Sequence, residues 1–342
     1  MFETILLNYF PDGHWTIEEG DSGWNNTTRY VEAGGQRWVL RVYDTHKEIE
    51  KVRFEHKVLL ALSELELPYR VPKPVLAANG ETMIRLTDGS GKLACLFAFV
   101  EGERPEEGDP EAAFQLGRAS GQLSRALCGL DVGLQPSYPP YYEMDAAHPS
   151  SASNAVQDFC LQPPELFSHL AGPLARISEQ LVQFRSLLSE LRGLPHQLIH
   201  GDINCSNALA GRNGSGRLAA ILDFEFATWD VRAMEFAVLV AGYLNDKEGD
   251  AAELGPCVEP FLHGAGSAIQ LERREAAAIP LLVKLRMLDV FLHFFGRYRD
   301  GVDAAITLAE QIESVDSGLL ALARTEADLS RLCLQYLCEK SV

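Results

Sequence analysis

Two short runs constrain this chain more than anything else in it. The first, Leu198-Ile199-His200-Gly201-Asp202-Ile203-Asn204-Cys205-Ser206-Asn207, ends an apolar segment in His-x-Asp and then reaches an asparagine. The second, Ile221-Leu222-Asp223-Phe224-Glu225, is an apolar strand pattern that stops in a carboxylate. Between them, Arg212-Asn213-Gly214-Ser215-Gly216 is a strong hairpin turn signal, because Asn and Gly tolerate positive φ. A hairpin lays its arms side by side, so Asn207 and Asp223 are expected at the same end, with the carboxylate of Asp202 close to both. Two hard oxygen ligands and a third carboxylate suit Mg²⁺ holding a polyphosphate beside a catalytic base.

Each residue type fits that chemistry. Asp202 would accept or orient the proton of an attacking hydroxyl. With a reference pKa near 4 it is a weak base, which suffices when positioning and charge neutralisation carry phosphoryl transfer. Asn207 and Asp223 would hold Mg²⁺. His200 is expected to pack and fix the loop rather than act as a base. A two-metal hydrolase built on His200 and Asp202 would require further His and Asp clusters, which the sequence does not supply.

Upstream, residues 14–43 read as strands broken by polar turns, with 37–43 the clearest. Alternation puts Arg37, Val39, Arg41 and Tyr43 on one face and Trp38, Leu40 and Val42 on the other. The turn at 21–26 (Asp21-Ser22-Gly23-Trp24-Asn25-Asn26) offers backbone N–H groups and small side chains that could cover a phosphate. Residues 46–65 read as a helix with Val52, Leu59 and Leu62 on one stripe and Glu55 inside it. A carboxylate on a buried face is costly unless paired, and Arg41 on the preceding strand is the partner nearest in sequence. Further strands are expected at 75–78, 82–86 and 93–100, followed by a composition shift. The chain therefore reads as a small sheet with one helix over residues 1–100 and a mainly helical part over 101–342.

In that second part helices are expected at 110–127, 164–191, from Trp229-Asp230 to about 244, and at roughly 255–265, 272–298 and 302–340. The stretch 130–154 is rich in Pro, Tyr and Ser and reads as a long surface loop. A helix starting so soon after Asp223 leaves no room for the activation segment with which a kinase displays a peptide, so a small-molecule acceptor is expected. Lys284, Arg286, Arg297 and Arg299 are candidate partners for a substrate carboxylate.

A formal net charge of −18 disfavours nucleic acid and anionic membrane as partners. The 7 cysteines include no C-x-x-C pair, which argues against a disulfide framework or a structural zinc site. No apolar run approaches the roughly 18 residues of a membrane span and no basic leader opens the chain, so a cytoplasmic location is expected.

The run from His200-Gly201-Asp202 to Asn207, followed by Ile221-Leu222-Asp223-Phe224-Glu225, resembles the aminoglycoside phosphotransferase and choline kinase family. The stretch from Leu222 to Ala227, through Asp230 to Glu235-Phe236-Ala237, is similar to its homoserine kinase type II branch. The resemblance implies an α+β, bilobal protein-kinase-like fold and an ATP- and Mg²⁺-dependent transfer to a small-molecule hydroxyl. It implies Asp202 as base and Asn207 and Asp223 as metal ligands. It also implies a nucleotide site built from Ser22, Gly23, Asn25 and Asn26 in the loop, Arg41 and Glu55 as the cation–carboxylate pair, and Phe99 and Glu101 at a hinge. Two residues depart from the pattern: Arg41 stands where the family often has Lys, and Glu235 where an Asp usually supports the catalytic loop. Homoserine-like amino alcohols, choline or ethanolamine, and aminoglycosides are the candidate acceptors, with oligomeric state open. A catalytically silent kinase-like binding or assembly protein is the rival reading.

Overall fold

A computed structural model of the chain describes residues 1–20, 26–44, 48–212, 216–245 and 253–338. In chain order the strands are β1 (Thr16–Glu19), β2 (Asn26–Ala33), β3 (Gln36–Tyr43), β4 (Ile84–Arg85), β5 (Leu93–Ala98), β6 (His196–Ile199), β7 (Ala208–Ala210), β8 (Leu218–Ile221) and β9 (Thr228–Val231). The α-helices are α1 (Phe2–Leu6), α2 (Ile49–Ser63), α3 (Pro110–Leu127), α4 (Met144–Ala147), α5 (Ser153–Leu161), α6 (Ala171–Arg185), α7 (Leu188–Arg192), α8 (Met234–Asn245), α9 (Val258–Ala268), α10 (Arg273–Arg299) and α11 (Ala305–Leu337). The chain divides into two compact units, one of residues 1–104, 130–137 and 207–226, the other of 105–129, 138–206 and 227–342.

The first unit is an antiparallel sheet in the order β1-β2-β3-β5-β4, with α1, α2 and the β7–β8 hairpin. Alternation along β3 works as the sequence predicts. Leu40 and Val42 join Val31, Ala33, Ala94 and Leu96 in an apolar cluster that also takes Ile5 and Leu6 of α1. Tyr43 and Arg41 point the other way, toward Glu55 of α2. Helix α1 over Phe2–Leu6 is unannounced in the sequence, since one turn and a half shows no period. The strand expected at 75–78 is absent: Pro72 and Pro74 remove ladder donors, only a Pro74–Phe97 bridge forms, and Ala77 accepts from Gly80 and donates to Glu81 in a turn.

The second unit is helical around a small β6–β9 pair. Asp109 caps α3 by accepting from the N–H groups of Glu111 (3.0 Å) and Ala112 (3.3 Å), with Pro110 opening the helix. Small residues on α3 allow α9 to come very close. A Cβ on Gly117 would lie 2.0 Å from the Phe261 carbonyl oxygen, and one on Gly264 would lie 2.0 Å from that of Phe114. The stretch 130–154 is less loop-like than its composition predicts, since α4, a 3₁₀ turn (Pro149–Ser151) and the start of α5 lie in it. The helix expected from Trp229 begins instead at Met234. Thr228–Val231 pairs with β6, Ile199 opposite Thr228, so tertiary pairing overrides the helix-start signal of Asp230. No helix among the described residues is long and apolar enough to cross a membrane.

Candidate active site

In the first unit the hairpin does what its turn signal predicts. Ala208 pairs with Ile221, and the Leu222 N–H donates to the Asn207 carbonyl at 2.8 Å, so Asn207 and the residues leading to Asp223 share one end. Two neighbours brace the strands. Arg70 exchanges backbone hydrogen bonds with Ala219 and Ile221, and Glu103 exchanges them with Ala210. Gly102 passes so close that a Cβ would sit 2.7 Å from that of Leu209. Asp223 adopts φ 63°, a left-handed conformation that a non-glycine residue holds only where its surroundings impose it.

Arg41 gathers three elements around that aspartate. Its Nη1 donates to Glu55 Oε1 on α2 (3.1 Å) and to Asp223 Oδ1 after β8 (3.2 Å). The other oxygen of Glu55 accepts from the Tyr43 hydroxyl at 2.7 Å, and His56 Nδ1 lies 2.7 Å from Thr82 Oγ1 behind it. Burial dominates the electrostatics. It pushes Glu55 up to about 7 despite the nearby guanidinium, and it pulls His56 down to about 3, so the imidazole is neutral. Burial alone would lower Arg41, but Asp223 and Glu55 outweigh it and hold the guanidinium firmly charged.

The remaining nucleotide-site candidates are placed less uniformly. Asn26 donates to Glu225 Oε2 at 2.8 Å, and its own Oδ1 is buried with no hydrogen-bond partner among the described residues. Phe99 lies under the Arg37 guanidinium (4.2 Å) and edge-on to Tyr30. Glu101 is exposed and pairs with Arg212 at 3.4 Å. Ser22, Gly23 and Asn25 lie outside the described residues. Mg²⁺ asks for hard oxygen donors and keeps several waters. Asp223, with a partly exposed carboxylate, and the amide of Asn207 offer donors of that kind, and no group of three or more His, Cys, Asp and Glu that could hold a metal occurs among the described residues. Glu225 was missed from sequence, although its place two residues past Asp223 was a signal.

In the second unit the loop after β6 is held from several sides. Glu235, wholly buried at the start of α8, accepts from the N–H groups of His200 (2.7 Å) and Gly201 (3.4 Å). Burial, only partly relieved by those bonds, pushes its carboxyl up to about 7. The Tyr141 hydroxyl donates to the Gly201 carbonyl at 2.7 Å, while the Tyr141 N–H donates to Asp230 Oδ2 at 2.6 Å. His200 is fully buried, and its Nδ1 accepts from the Asp202 N–H at 3.1 Å, so the ring carries its hydrogen on Nε2. That is the structural histidine the sequence predicts.

The Asp202 carboxylate is not left to solvent. Arg286 Nη2 of α10 donates to its Oδ1 at 2.8 Å, while Arg286 Nη1 donates to Asp289 Oδ2 at 3.1 Å. Of the other cations considered for a substrate carboxylate, Arg297 is bound by Asp303 (2.6 and 2.9 Å) and Arg299 donates to the Ser150 carbonyl at 3.1 Å. Lys284 lines a hollow with Arg176, Glu179 and Asp316. Tyr141, His148 and Asp289 were not singled out from sequence. Only the three-residue spacing of Arg286 and Asp289 within one helix could have suggested part of this cluster.

The family model described as the phosphotransferase enzyme family matches residues 16–278. Homoserine kinase of Zymomonas mobilis is 21% identical over 281 residues, covering 82% of this chain and 81% of its own length. Homoserine kinase of Sinorhizobium fredii is 25% identical over 263 residues, covering 75% and 71%. Among solved structures, a microcompartment-associated aminopropanol kinase superposes with a TM-score of 0.70 at 20% identity, over 96% of this chain and 98% of its own. A GDP complex of an aminoglycoside 2'-phosphotransferase gives 0.60 at 17% identity, over 96% and 97%. These neighbours show a protein-kinase-like fold, an antiparallel sheet in the N-terminal part and mostly helix in the C-terminal part. With well over half its length matched by the family model, the chain belongs to the phosphotransferase enzyme family.

Proposed function

We propose that this enzyme transfers the terminal phosphoryl group of Mg²⁺-bound ATP to the hydroxyl of a small amino alcohol. The observation that carries the reading is Arg41, one half-buried cation joining a strand, the Glu55 helix and the Asp223 turn. Such a group holds a nucleotide's phosphates against a fixed positive charge. Mg²⁺, bound by Asn207 and Asp223, would neutralise charge on the phosphate oxygens. Asp202 would accept the hydroxyl proton; it precedes Asn207 by five residues in the sequence. Glu235 and Tyr141 would hold that loop in place through Gly201.

A homoserine-like acceptor is supported by the names of the curated relatives. A second reading, an amino alcohol without a carboxylate, is favoured by the engagement of Arg286 with Asp202 and Asp289, which leaves its charge already offset. The test is ADP release by the purified protein with Mg²⁺ and ATP or GTP against homoserine, 1-amino-2-propanol, ethanolamine, choline and aminoglycosides. One or more amino alcohols are expected to be turned over. Asp202→Asn is expected to lower kcat by about 10²–10⁴-fold while nucleotide affinity stays nearly constant. Full activity in that variant would sink the mechanism.

A further inference from the structure

Arg286 lies 84 residues beyond Asp202 in the chain, yet their side chains are 2.8 Å apart. Its second terminal nitrogen is shared between Asp289 (3.1 Å) and the Tyr141 hydroxyl (3.4 Å), and its guanidinium lies over the Tyr141 ring at 5.6 Å. Asp289 is 7% exposed and is itself fixed by His148, whose Nε2 lies 2.5 Å from Oδ1. Next to this pair stands His293, its ring 6.2 Å from that of His148. We propose that Arg286 is a positioning residue for the base Asp202, held in turn by Asp289, Tyr141 and His148. This rests on the reading of Asp202 as the base.

The physical case begins with the carboxylate. An aspartate at the end of a short loop can rotate about its side-chain torsions, and a proton acceptor must sit within hydrogen-bond reach of the hydroxyl it serves. A donor fixed on Oδ1 sets the orientation of the whole group, because the two oxygens move together. The guanidinium can do this only if it cannot swing. Its planar fork offers separate nitrogens to separate acceptors, and here one goes to Asp202 and the other to Asp289 and Tyr141. Tyr141 gives its own proton to the Gly201 carbonyl, so one side chain touches both the loop backbone and the arginine that holds the loop's aspartate. Burying a charge cluster of this kind is not an efficient way to stabilise a fold, since apolar packing of similar volume serves as well or better. A receptor for a substrate carboxylate is also a poor description, because that ligand would have to displace one of two carboxylates already bound.

The test uses Arg286→Ala and Arg286→Lys in the full chain, assayed with Mg²⁺-ATP and two acceptors, one with a carboxylate and one without. Loss of positioning is expected to lower kcat about 100-fold on both acceptors alike, with the KM for ATP changed by less than about 3-fold. Guanidinium ion at millimolar concentration is expected to restore part of the activity of Arg286→Ala, while urea at the same concentration does not. Lys, a compact ammonium without the fork, should recover little. Wild-type kcat in Arg286→Ala, or a raised KM confined to the carboxylate-bearing acceptor, would overturn the proposal. Should Arg286→Ala not fold, Asp289→Asn replaces it; a kcat about 10-fold lower is expected there, and an unchanged kcat overturns the proposal. Activity in Asp202→Asn would instead remove the underlying assignment of the base, and inactive Asp202→Asn beside fully active Arg286→Ala would remove only the role of Arg286.

Discussion

Arg41 holds together what would otherwise be two unpaired carboxylates, one of them nearly inaccessible to water. Removing a single partner from such a pair costs more than the pair itself contributes, because the remaining charge stays desolvated. Arg41→Met is therefore expected to lower the melting temperature and to cut kcat/KM for ATP by about 10–100-fold. Arg41→Lys keeps the charge and one terminal nitrogen, and a single nitrogen, Nη1, serves both Glu55 and Asp223 here, so it should stay within about 10-fold of wild type. Calorimetry for stability and titration with nucleotide for affinity separate the two effects. A Met variant with unchanged nucleotide affinity would show that the cluster serves the fold alone. The pairing of Arg41 with Glu55 was legible in sequence, because a carboxylate inside an apolar stripe calls for a cation. Its reach to Asp223 was not, because those residues lie 182 positions apart.

Helix packing in the second unit has glycines at its closest backbone approaches. Where α3 crosses α9, Gly117 and Gly264 let each backbone approach the other's carbonyls. A methyl group at Gly117 would meet a rigid backbone oxygen, so Gly117→Ala is expected to destabilise the protein by about 3 kcal/mol or more through overpacking. Gly242 in α8 meets nothing within 4 Å, so Gly242→Ala should gain roughly 0.5–1 kcal/mol from helix propensity. Urea denaturation of the two variants checks the contrast, and similar midpoints would contradict it. The small residues of α3 were readable as a close-packing face, but the partner helix was not, since nothing local to residues 110–127 names residues 258–268.

Buried ionisable groups pull the stability of the whole molecule in opposite directions as pH changes. Burial pushes Glu55, Asp230 and Glu235 each up to about 7. Their unfolded counterparts titrate near 4, so the native state holds extra protons, and the stability they contribute is complete below that value and is lost as pH rises through 7. Burial lowers His56 to about 3 and His293 to about 4, which acts the other way, with stability present above the unfolded value near 6.5 and lost on acidification. The two sets offset each other, so a difference measurement isolates one group. Glu235→Gln lacks the falling contribution, and its stability relative to wild type is expected to improve between pH 5 and pH 8, by at most roughly 3 kcal/mol. Denaturation at both pH values measures this, and a gap that does not change with pH would refute it.

Local sequence determined the elements whose signals are local. The turn signal at 212–216 announced the pairing of β7 with β8, alternation in β3 chose which side chains face α2, and the spacing of Asp202, Asn207 and Asp223 announced phosphoryl transfer. Tertiary structure alone decided Thr228–Val231, which became a strand because β6 offered it a ladder, and it decided the surroundings of Asp202. Arg286, Asp289, Tyr141 and His148 come from segments far apart in the chain. Their meeting is set by helix packing and by the cost of leaving any one of those polar groups buried without the others.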